Sequence, residues 1–155
     1  MTGTDRPPAP LVGWRLLALA YYFFPALALW MLAAAAFTLG YTIAGHAPRE
    51  NIPPFSPLQL LLWAVCWLLT GAYAVASWRR GGRTLGMRPW RLRVVGAGGG
   101  PAPLHALLRR YAVGSVSLLL GGLGFWWAWF DRERLTWHDR ASGTRMVREA
   151  KRPRA

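Results

Sequence analysis

Residues 58–78 read LQLLLWAVCWLLTGAYAVASW and contain no charged side chain. A helix needs about 20 apolar residues to cross a hydrocarbon core of about 30 Å, and this stretch has that length. A core helix of a water-soluble protein normally carries a polar stripe at a period of 3.6 residues, and no such stripe occurs here. From Leu60 to Ala76 the polar groups are those of Cys66, Thr70 and Tyr73, which lipid tolerates. The stretch therefore predicts a membrane-spanning helix.

Two further runs without charge flank this helix, at residues 16–45 and 111–130. A chain of 155 residues is too short to cover three such runs with soluble surface. The first run is longer than an upright span requires, and it exceeds the 7–15 residues typical of a cleavable signal peptide. We expect a tilted helix there, kinked at Pro25. The predicted fold class is an all-α polytopic membrane protein.

The composition is both apolar and strongly basic, with 54% hydrophobic residues and a formal net charge of +13. A disordered chain would have few apolar and aromatic residues, so disorder is excluded. The single cysteine, Cys66, excludes an internal disulfide scaffold. The charge alone would suit either a nucleic-acid-binding protein or a membrane protein with cationic loops, and its distribution decides between them.

The basic residues divide unevenly among the segments outside the three runs. Residues 46–57 carry one, residues 79–110 carry eight with no acidic residue, and the chain from residue 131 carries eight. Under the positive-inside rule the 46–57 loop is external, and the 79–110 loop and the N-terminus are cytoplasmic. We therefore expect no nucleic-acid partner and instead expect lipid contact. The arginines predicted to face anionic headgroups are Arg79, Arg80, Arg83 and Arg88.

Glycines interrupt the third run at positions 114, 121, 122 and 124. Each glycine costs a helix about 1 kcal/mol relative to alanine, so a break is expected there. A broken segment would be a re-entrant helical hairpin that returns the C-terminus to the cytoplasm, whereas an unbroken one would span once. Residues 92–95 and 144–147 alternate like short strands. They could form a cytoplasmic β-pair only if the chain returns.

Few residues suggest chemistry. Arg15 lies at the mouth of the first run, either as an interfacial anchor or as a fixed cation that pairs with a carboxylate. His138 and Asp139 follow the third run, where an isolated His-Asp pair is usually a turn or a helix cap. The nucleophile–base groups, phosphate loops and metal-ligand clusters of enzymes are missing from the pattern. We expect neither an enzyme nor a cofactor or metal site.

Three motifs together resemble the RDD family of bacterial membrane proteins, which is named for one arginine and two aspartates. They are GWRLLALAYYF at 13–23, WRRGGRTLGMRPWRLRVV at 78–95 and RERLTWHDRASGTRMV at 132–147. The resemblance covers about residues 11–148 and implies that Arg15 and Asp139 are the family's arginine and second aspartate. The first aspartate should fall near Tyr22, where two tyrosines stand instead. This departure argues against a proton or cation relay, because a tyrosine with a pKa of about 10 carries no charge near neutrality.

The resemblance implies a multi-pass protein of the bacterial inner membrane that transports an ion or small ligand, as a homo-oligomer or with another membrane protein. The alternative is a non-catalytic scaffold or anchor whose basic cytoplasmic face binds lipid or a partner protein. We further expect Arg15 and Asp139 to pair, so that reversing both charges would partly restore what either reversal loses. The expected layout is a flexible cytoplasmic tail at 1–13, a membrane domain at 14–148 and a basic tail at 149–155. Within the domain the segments are helix 1 at about 16–45, an external loop at 46–57, helix 2 at 58–78, a basic loop at 79–110, the third hydrophobic segment at 111–130 and a segment with His138 and Asp139 at 131–148.

Overall fold

The computed structural model describes residues 11–45 and 52–149 of the chain. Two long helices, α1 at Val12–Ile43 and α2 at Pro57–Gly81, are apolar and long enough to cross a membrane. At 1.5 Å per residue even the shorter one measures about 38 Å, more than a hydrocarbon core of about 30 Å. The predicted N-terminal tail, external loop and C-terminal tail lie wholly or partly outside the described residues.

Both spanning helices extend beyond their predicted limits. Helix α1 begins four residues before position 16, so Arg15 lies inside the helix instead of at its mouth, and Pro25 does not interrupt it. Helix α2 continues to Gly81, so Arg79 and Arg80 form its last turn and not the start of a loop. Cations are favoured there because the last carbonyls of a helix carry partial negative charge. The apolar pattern therefore located both spans but placed the start of α1 too late and the end of α2 too early.

Local signals explain where α2 starts and stops. The Ser56 side chain accepts a hydrogen bond from the backbone N–H of Gln59 at 3.2 Å, and Pro57 occupies the first helical position. Both features are favoured at helix N-termini. At the other end Gly82 adopts a left-handed backbone with φ of 70°, which glycine accommodates without strain and which ends many helices.

The third apolar segment is broken, as the glycines predict. Helix α3 spans Leu104–Leu119, and a short helix α4 at Leu123–Trp126 continues into a 3₁₀ turn at Trp127–Trp129. The two parts meet at a bend of 107°. Gly121 and Gly122 lie at the bend with φ of 69° and 79°, a left-handed conformation that disfavours other residues.

The start of the third segment differs from the prediction. Helix α3 begins at Leu104, seven residues before position 111, so Arg109 and Arg110 belong to a helix and not to the basic loop. The two adjacent charges of Arg109 and Arg110 lie within the helix and do not mark its boundary. A helix accommodates a buried arginine when the guanidinium is paired, and Arg110 is paired, as described below.

A small antiparallel sheet joins the segments on either side of this bend. Strand β1 at Leu92–Gly96 pairs with strand β2 at Thr144–Arg148, with Leu92 opposite Arg148 and Gly96 opposite Thr144. Because β1 precedes α3 and β2 follows the 3₁₀ turn, both ends of the third segment lie on the same side of a membrane. The sheet therefore favours a returning segment over a single span. The predicted class is confirmed: two spans, a glycine-broken third segment and a short β-pair in a mainly helical protein.

The buried core lies at the end of the molecule that carries the sheet. It contains apolar side chains from the start of α1, the end of α2, the following 3₁₀ turn at Leu85–Met87, β1 and α3; these are Ala18, Val75, Met87, Leu92, Val94 and Leu107. The 3₁₀ turn packs directly on the backbone of α1. A Cβ atom on Gly86 would lie 2.5 Å from the Ala18 carbonyl oxygen and 2.6 Å from the Tyr22 nitrogen, so glycine is required for this close approach.

Candidate functional site

Asp139 lies at the centre of the buried polar cluster and is fixed by its own helix, α5 at Trp137–Ser142. The Thr136 hydroxyl accepts a hydrogen bond from the Asp139 backbone N–H, and the Asp139 carboxylate accepts one from the Thr136 backbone N–H, both at 3.3 Å. This reciprocal pair is a capping box. The sequence left a turn or a helix cap open for His138 and Asp139; the structure has a cap in which Thr136 is the N-cap residue and Asp139 the third helical residue. Its side chain is fully buried.

Two arginines from two other helices reach the same carboxylate. Arg15 of α1 donates to Oδ2 of Asp139, and Arg110 of α3 donates to Oδ1. Arg15 also donates to the Thr136 hydroxyl at 3.0 Å, and Arg110 to the Thr144 hydroxyl at 2.8 Å. One carboxylate thereby links α1, α3 and α5. The expected contact between Arg15 and Asp139 is present, but Asp139 is shared with a second guanidinium.

The surroundings of α5 decide which of its groups are charged. Burial opposes ionisation of the Asp139 carboxyl, but Arg110 and Arg15 outweigh burial and hold its pKa well below its usual range. For the neighbouring His138, burial and then the charge of Arg110 lower the pKa from 6.5 to about 3. Asp139 is therefore ionised and His138 neutral at physiological pH.

His138 connects α5 to the short helix after the bend. Its ring lies on Phe125 with 4.7 Å between the ring centroids. The bend itself is closed by Ser117, whose hydroxyl accepts a hydrogen bond from the Gly124 N–H at 3.0 Å. A Cβ atom on Gly124 would lie 2.5 Å from that hydroxyl oxygen. The predicted glycine break thus places α4 against the charged cluster.

Tyr22 does not contact Asp139. Its hydroxyl donates to the Thr70 carbonyl at 2.8 Å, and its ring stacks on Tyr73 with 5.7 Å between centroids. Thr70 also accepts a hydrogen bond from the indole of Trp30 at 2.8 Å. At the position where the family resemblance implies a carboxylate, a neutral side chain therefore joins α1 to α2.

A cavity of about 130 Å³ lies beside the cluster, between α1, α2 and α3. Its polar lining includes Arg15, Tyr22, Trp78, Arg110 and His138. The Trp78 ring lies under Arg110, with 5.6 Å between the guanidinium carbon and the ring centroid. The cluster thus faces a partly open space between the helices instead of being enclosed in protein on every side.

The four arginines predicted to face lipid lie outside this cluster. Arg79, Arg80 and Arg88 are exposed, whereas Arg83 is half-buried and lies 3.4 Å from the carboxylate of Glu149. Arg79 and Arg80 line one part of an otherwise apolar groove of about 950 Å³ between α2 and α3.

Two residues of the cluster were missed from the sequence although signals for both exist. Arg110 falls within the predicted basic loop, yet positions 107, 110, 114 and 117 lie on one helical face and end in the buried Ser117. Thr136 begins the pattern T-x-x-D, a variant of the capping box that precedes many helices. Either pattern predicts a second polar group near Asp139.

The cluster holds charge and joins helices, and it has little capacity for acid–base chemistry near neutral pH. Asp139 is held ionised by two guanidinium groups, and His138 is held neutral by burial. Within residues 11–45 and 52–149, no three His, Cys, Asp or Glu side chains are grouped to hold a metal ion.

Comparison with known families identifies one match. Residues 9–143 match the RDD family, a range that covers most of the chain and includes Arg15, Arg110 and Asp139. Comparison with curated proteins and with solved structures finds no match. The two helices that can span a membrane, the bent third segment and the family match agree with one another. The chain belongs to the RDD family.

Proposed function

We propose that this protein is a multi-pass protein of the bacterial inner membrane that transports an ion or small ligand and has no catalytic activity. The observation that carries the proposal is the buried cluster of Arg15, Asp139 and Arg110 beside a cavity between the helices. Ionisable side chains within membrane proteins are costly, and they commonly mark substrate and ion pathways. A purely structural link between helices would not need the adjoining cavity.

Transport by this chain would require an oligomer. One protomer has two helices long enough to span a membrane and a bent third segment, which are too few helices to enclose a pathway alone. Large apolar side chains are exposed along α1, including Phe24 at 67% and Leu32 at 70%. These side chains suit contact with lipid or with a second copy of the chain. Nucleic acid is not a partner in this proposal, because the basic residues are accounted for by membrane insertion.

The proposed orientation places the sheet end of the molecule in the cytoplasm. That end contains the start of α1, the end of α2 and both strands, and it carries the arginines of the 79–110 region. The positive-inside rule assigns such a face to the cytoplasm. Both the N-terminus and the C-terminus are then cytoplasmic.

The test is ion flux in liposomes that contain the purified protein, with Na⁺, K⁺, H⁺ and Cl⁻ measured separately. Flux of at least one ion above that of empty liposomes is expected, with loss of flux in Arg15→Gln. The matched control is Arg140→Gln, which removes an exposed arginine that pairs with Asp131 at 2.7 Å. Absence of flux for every one of these ions across a range of pH would reject the proposal of ion transport.

A second function, a scaffold or anchor that binds anionic lipid, is favoured by the groove between α2 and α3. The groove is lined by apolar side chains such as Leu68, Val75 and Leu108, and also by Arg79 and Arg80. An acyl chain suits the apolar part, and a phosphate headgroup suits the two guanidinium groups. An arginine near an anionic membrane surface contributes about 1 kcal/mol.

Lipid binding is tested by native mass spectrometry of the purified protein with phosphatidylglycerol or phosphatidylcholine. The scaffold proposal expects retention of phosphatidylglycerol that is reduced in Arg79→Gln/Arg80→Gln. The control is Arg145→Gln, an exposed arginine on β2 away from the groove. Equal retention of both lipids by all three proteins would reject specific lipid binding.

A further inference from the structure

The buried cluster is not electrically balanced within the described chain. It contains two guanidinium groups, from Arg15 and Arg110, and one carboxylate, from Asp139. The other three carboxylates of residues 11–45 and 52–149 pair elsewhere: Asp131 and Glu133 with Arg140, and Glu149 with Arg83 and Arg93. The cluster therefore has an excess of one positive charge. A buried charge without a counter-charge is strongly unfavourable.

Several polar atoms around the same cavity have no partner. Within the described residues, Nε of Arg15, Nε1 of Trp78 and Nδ1 of His138 are buried without a hydrogen bond. All three side chains line the cavity of about 130 Å³, and Arg15 is only 4% exposed. Buried donors are nearly always satisfied by protein, water or a ligand. Two of these groups, the guanidinium and the indole, can only donate.

The lining of the cavity also indicates the sign of a ligand. Both arginines line the cavity, whereas Asp139 lies behind them and the described lining contains no carboxylate. A cation would meet two guanidinium groups directly. An anion would neutralise the excess charge and accept hydrogen bonds from the unpartnered donors, and such charge-assisted hydrogen bonds are the stronger kind. Because the share of liquid volume per water is about 30 Å³, the cavity has room for only a few water-sized groups.

We propose that this cavity binds one small monovalent inorganic anion, such as chloride or nitrate, held by Arg15 and Arg110 with the indole N–H of Trp78. The proposal deepens the transport function and rests on it for the passage of the ion, but not for its binding. The bound anion supplies the second negative charge of the cluster, so that two guanidinium groups face two anionic groups. It also explains why Tyr22, a neutral residue, lines the cavity where a carboxylate would repel the ligand.

The proposal is tested by the thermal unfolding midpoint of the detergent-purified protein in sodium chloride, bromide, nitrate or gluconate at matched ionic strength. Gluconate is the comparison because it is monovalent but too large for the cavity. The midpoint should rise with the concentration of each small anion, and above the dissociation constant it should follow the logarithm of that concentration, because the anion binds the folded state. An unfolding midpoint that is the same in chloride, bromide, nitrate and gluconate at every concentration would overturn the proposal.

Variants separate a specific site from a general salt effect. Trp78→Phe retains an aromatic ring beneath Arg110 but removes the indole donor, and it should weaken anion binding about tenfold. Trp30→Phe is the matched control, because its indole donates to Thr70 and the residue does not line the cavity. Arg110→Gln removes the excess charge and should abolish the dependence of the unfolding midpoint on the anion. If the Arg110→Gln protein does not fold, the comparison of Trp78→Phe with Trp30→Phe still decides the test. Equal anion dependence in the two tryptophan variants would reject the site.

The flux measurement distinguishes failure of this proposal from failure of the transport proposal. Anion binding without flux of any ion supports the site and rejects ion transport. Cation flux without anion-dependent stability supports transport and rejects the anion site. Chloride flux that falls in Trp78→Phe but not in Trp30→Phe supports both.

Discussion

The substitution Asp139→Asn tests whether the buried carboxylate holds the sheet end of the molecule together. Asparagine has nearly the same shape but no charge, so the excess positive charge of the cluster rises from one to two. The new amide also has an NH₂ group, and this donor would face the guanidinium of either Arg15 or Arg110. The backbone part of the capping box is retained, because the Thr136 hydroxyl accepts from the N–H of residue 139.

The loss in the free energy of unfolding is expected to be large. Removing one partner of a buried ion pair typically costs about 3–5 kcal/mol, because the other charge is left uncompensated. Here both pairs lose their anion, and the side chains involved are at most 3% exposed. Because folded proteins are stable by about 5–15 kcal/mol, Asp139→Asn should be severely destabilised.

The matched control is Glu149→Gln. Glu149 also lies near two arginines, 3.4 Å from Arg83 and 3.5 Å from Arg93, but its side chain is 38% exposed. Exposed ion pairs contribute at most about 1 kcal/mol, so this control should lose little stability. Each protein would be titrated with sodium dodecyl sulfate in maltoside micelles, and helix content followed by circular dichroism.

One outcome of comparing Asp139→Asn with Glu149→Gln would contradict a stabilising role of the buried charges. If Asp139→Asn and Glu149→Gln unfold within about 1 kcal/mol of each other, the buried charges do not stabilise the fold. If Asp139→Asn is less stable than the wild type but the double variant Asp139→Asn/Arg110→Gln regains stability, the loss of stability is confirmed as the effect of uncompensated positive charge.

Three further outcomes are expected. Gly86→Ala should lose about 1–3 kcal/mol in the same titration, because its Cβ would meet the backbone of α1, while Gly13→Ala, with nothing within 4 Å, should lose none. Since folding lowers the pKa of His138 from 6.5 to about 3, the unfolded chain binds more protons between these values. Stability should then fall by about 1.4 kcal/mol per pH unit below 6.5, and this slope should be missing in His138→Phe; an unchanged slope would contradict the assignment. Single cysteines introduced at positions 145 and 79, in a protein without Cys66, should react with an impermeant thiol reagent from the same side of the membrane. Labelling of the two positions from opposite sides would contradict the returning segment.

The membrane spans and the break were predictable because each depends on local composition. Residues 58–78 are uncharged and mostly apolar, and two adjacent glycines at 121 and 122 disfavour a continuous helix. The strand pair was also foreseen, since alternating residues near 92 and 144 lie on either side of the break. Helix ends were less certain, because an arginine such as Arg79 is acceptable both in a last helical turn and in a loop.

The composition of the buried cluster was harder to predict because it depends on contacts between distant segments. Arg15 and Arg110 lie 124 and 29 residues from Asp139 along the chain. The family resemblance suggested the first of these partners but not the second. Within a basic segment, the sequence does not distinguish a buried arginine from an exposed one until the orientation of its helix is known. The orientation of α3 alone decides that Arg110 is buried.

Sharing of the carboxylate changes how its pairing can be tested. A reversal of both charges, Arg15→Asp with Asp139→Arg, assumes that the two residues form an isolated pair. In the structure the guanidinium introduced at position 139 would face Arg110, and it would also need space where the aspartate side chain is fully buried. The double reversal is therefore expected to fail even though the contact exists, so its failure would not argue against pairing. Only substitutions that remove charge at 15, 110 and 139, singly and in pairs, separate the two ion pairs from the excess charge that they share.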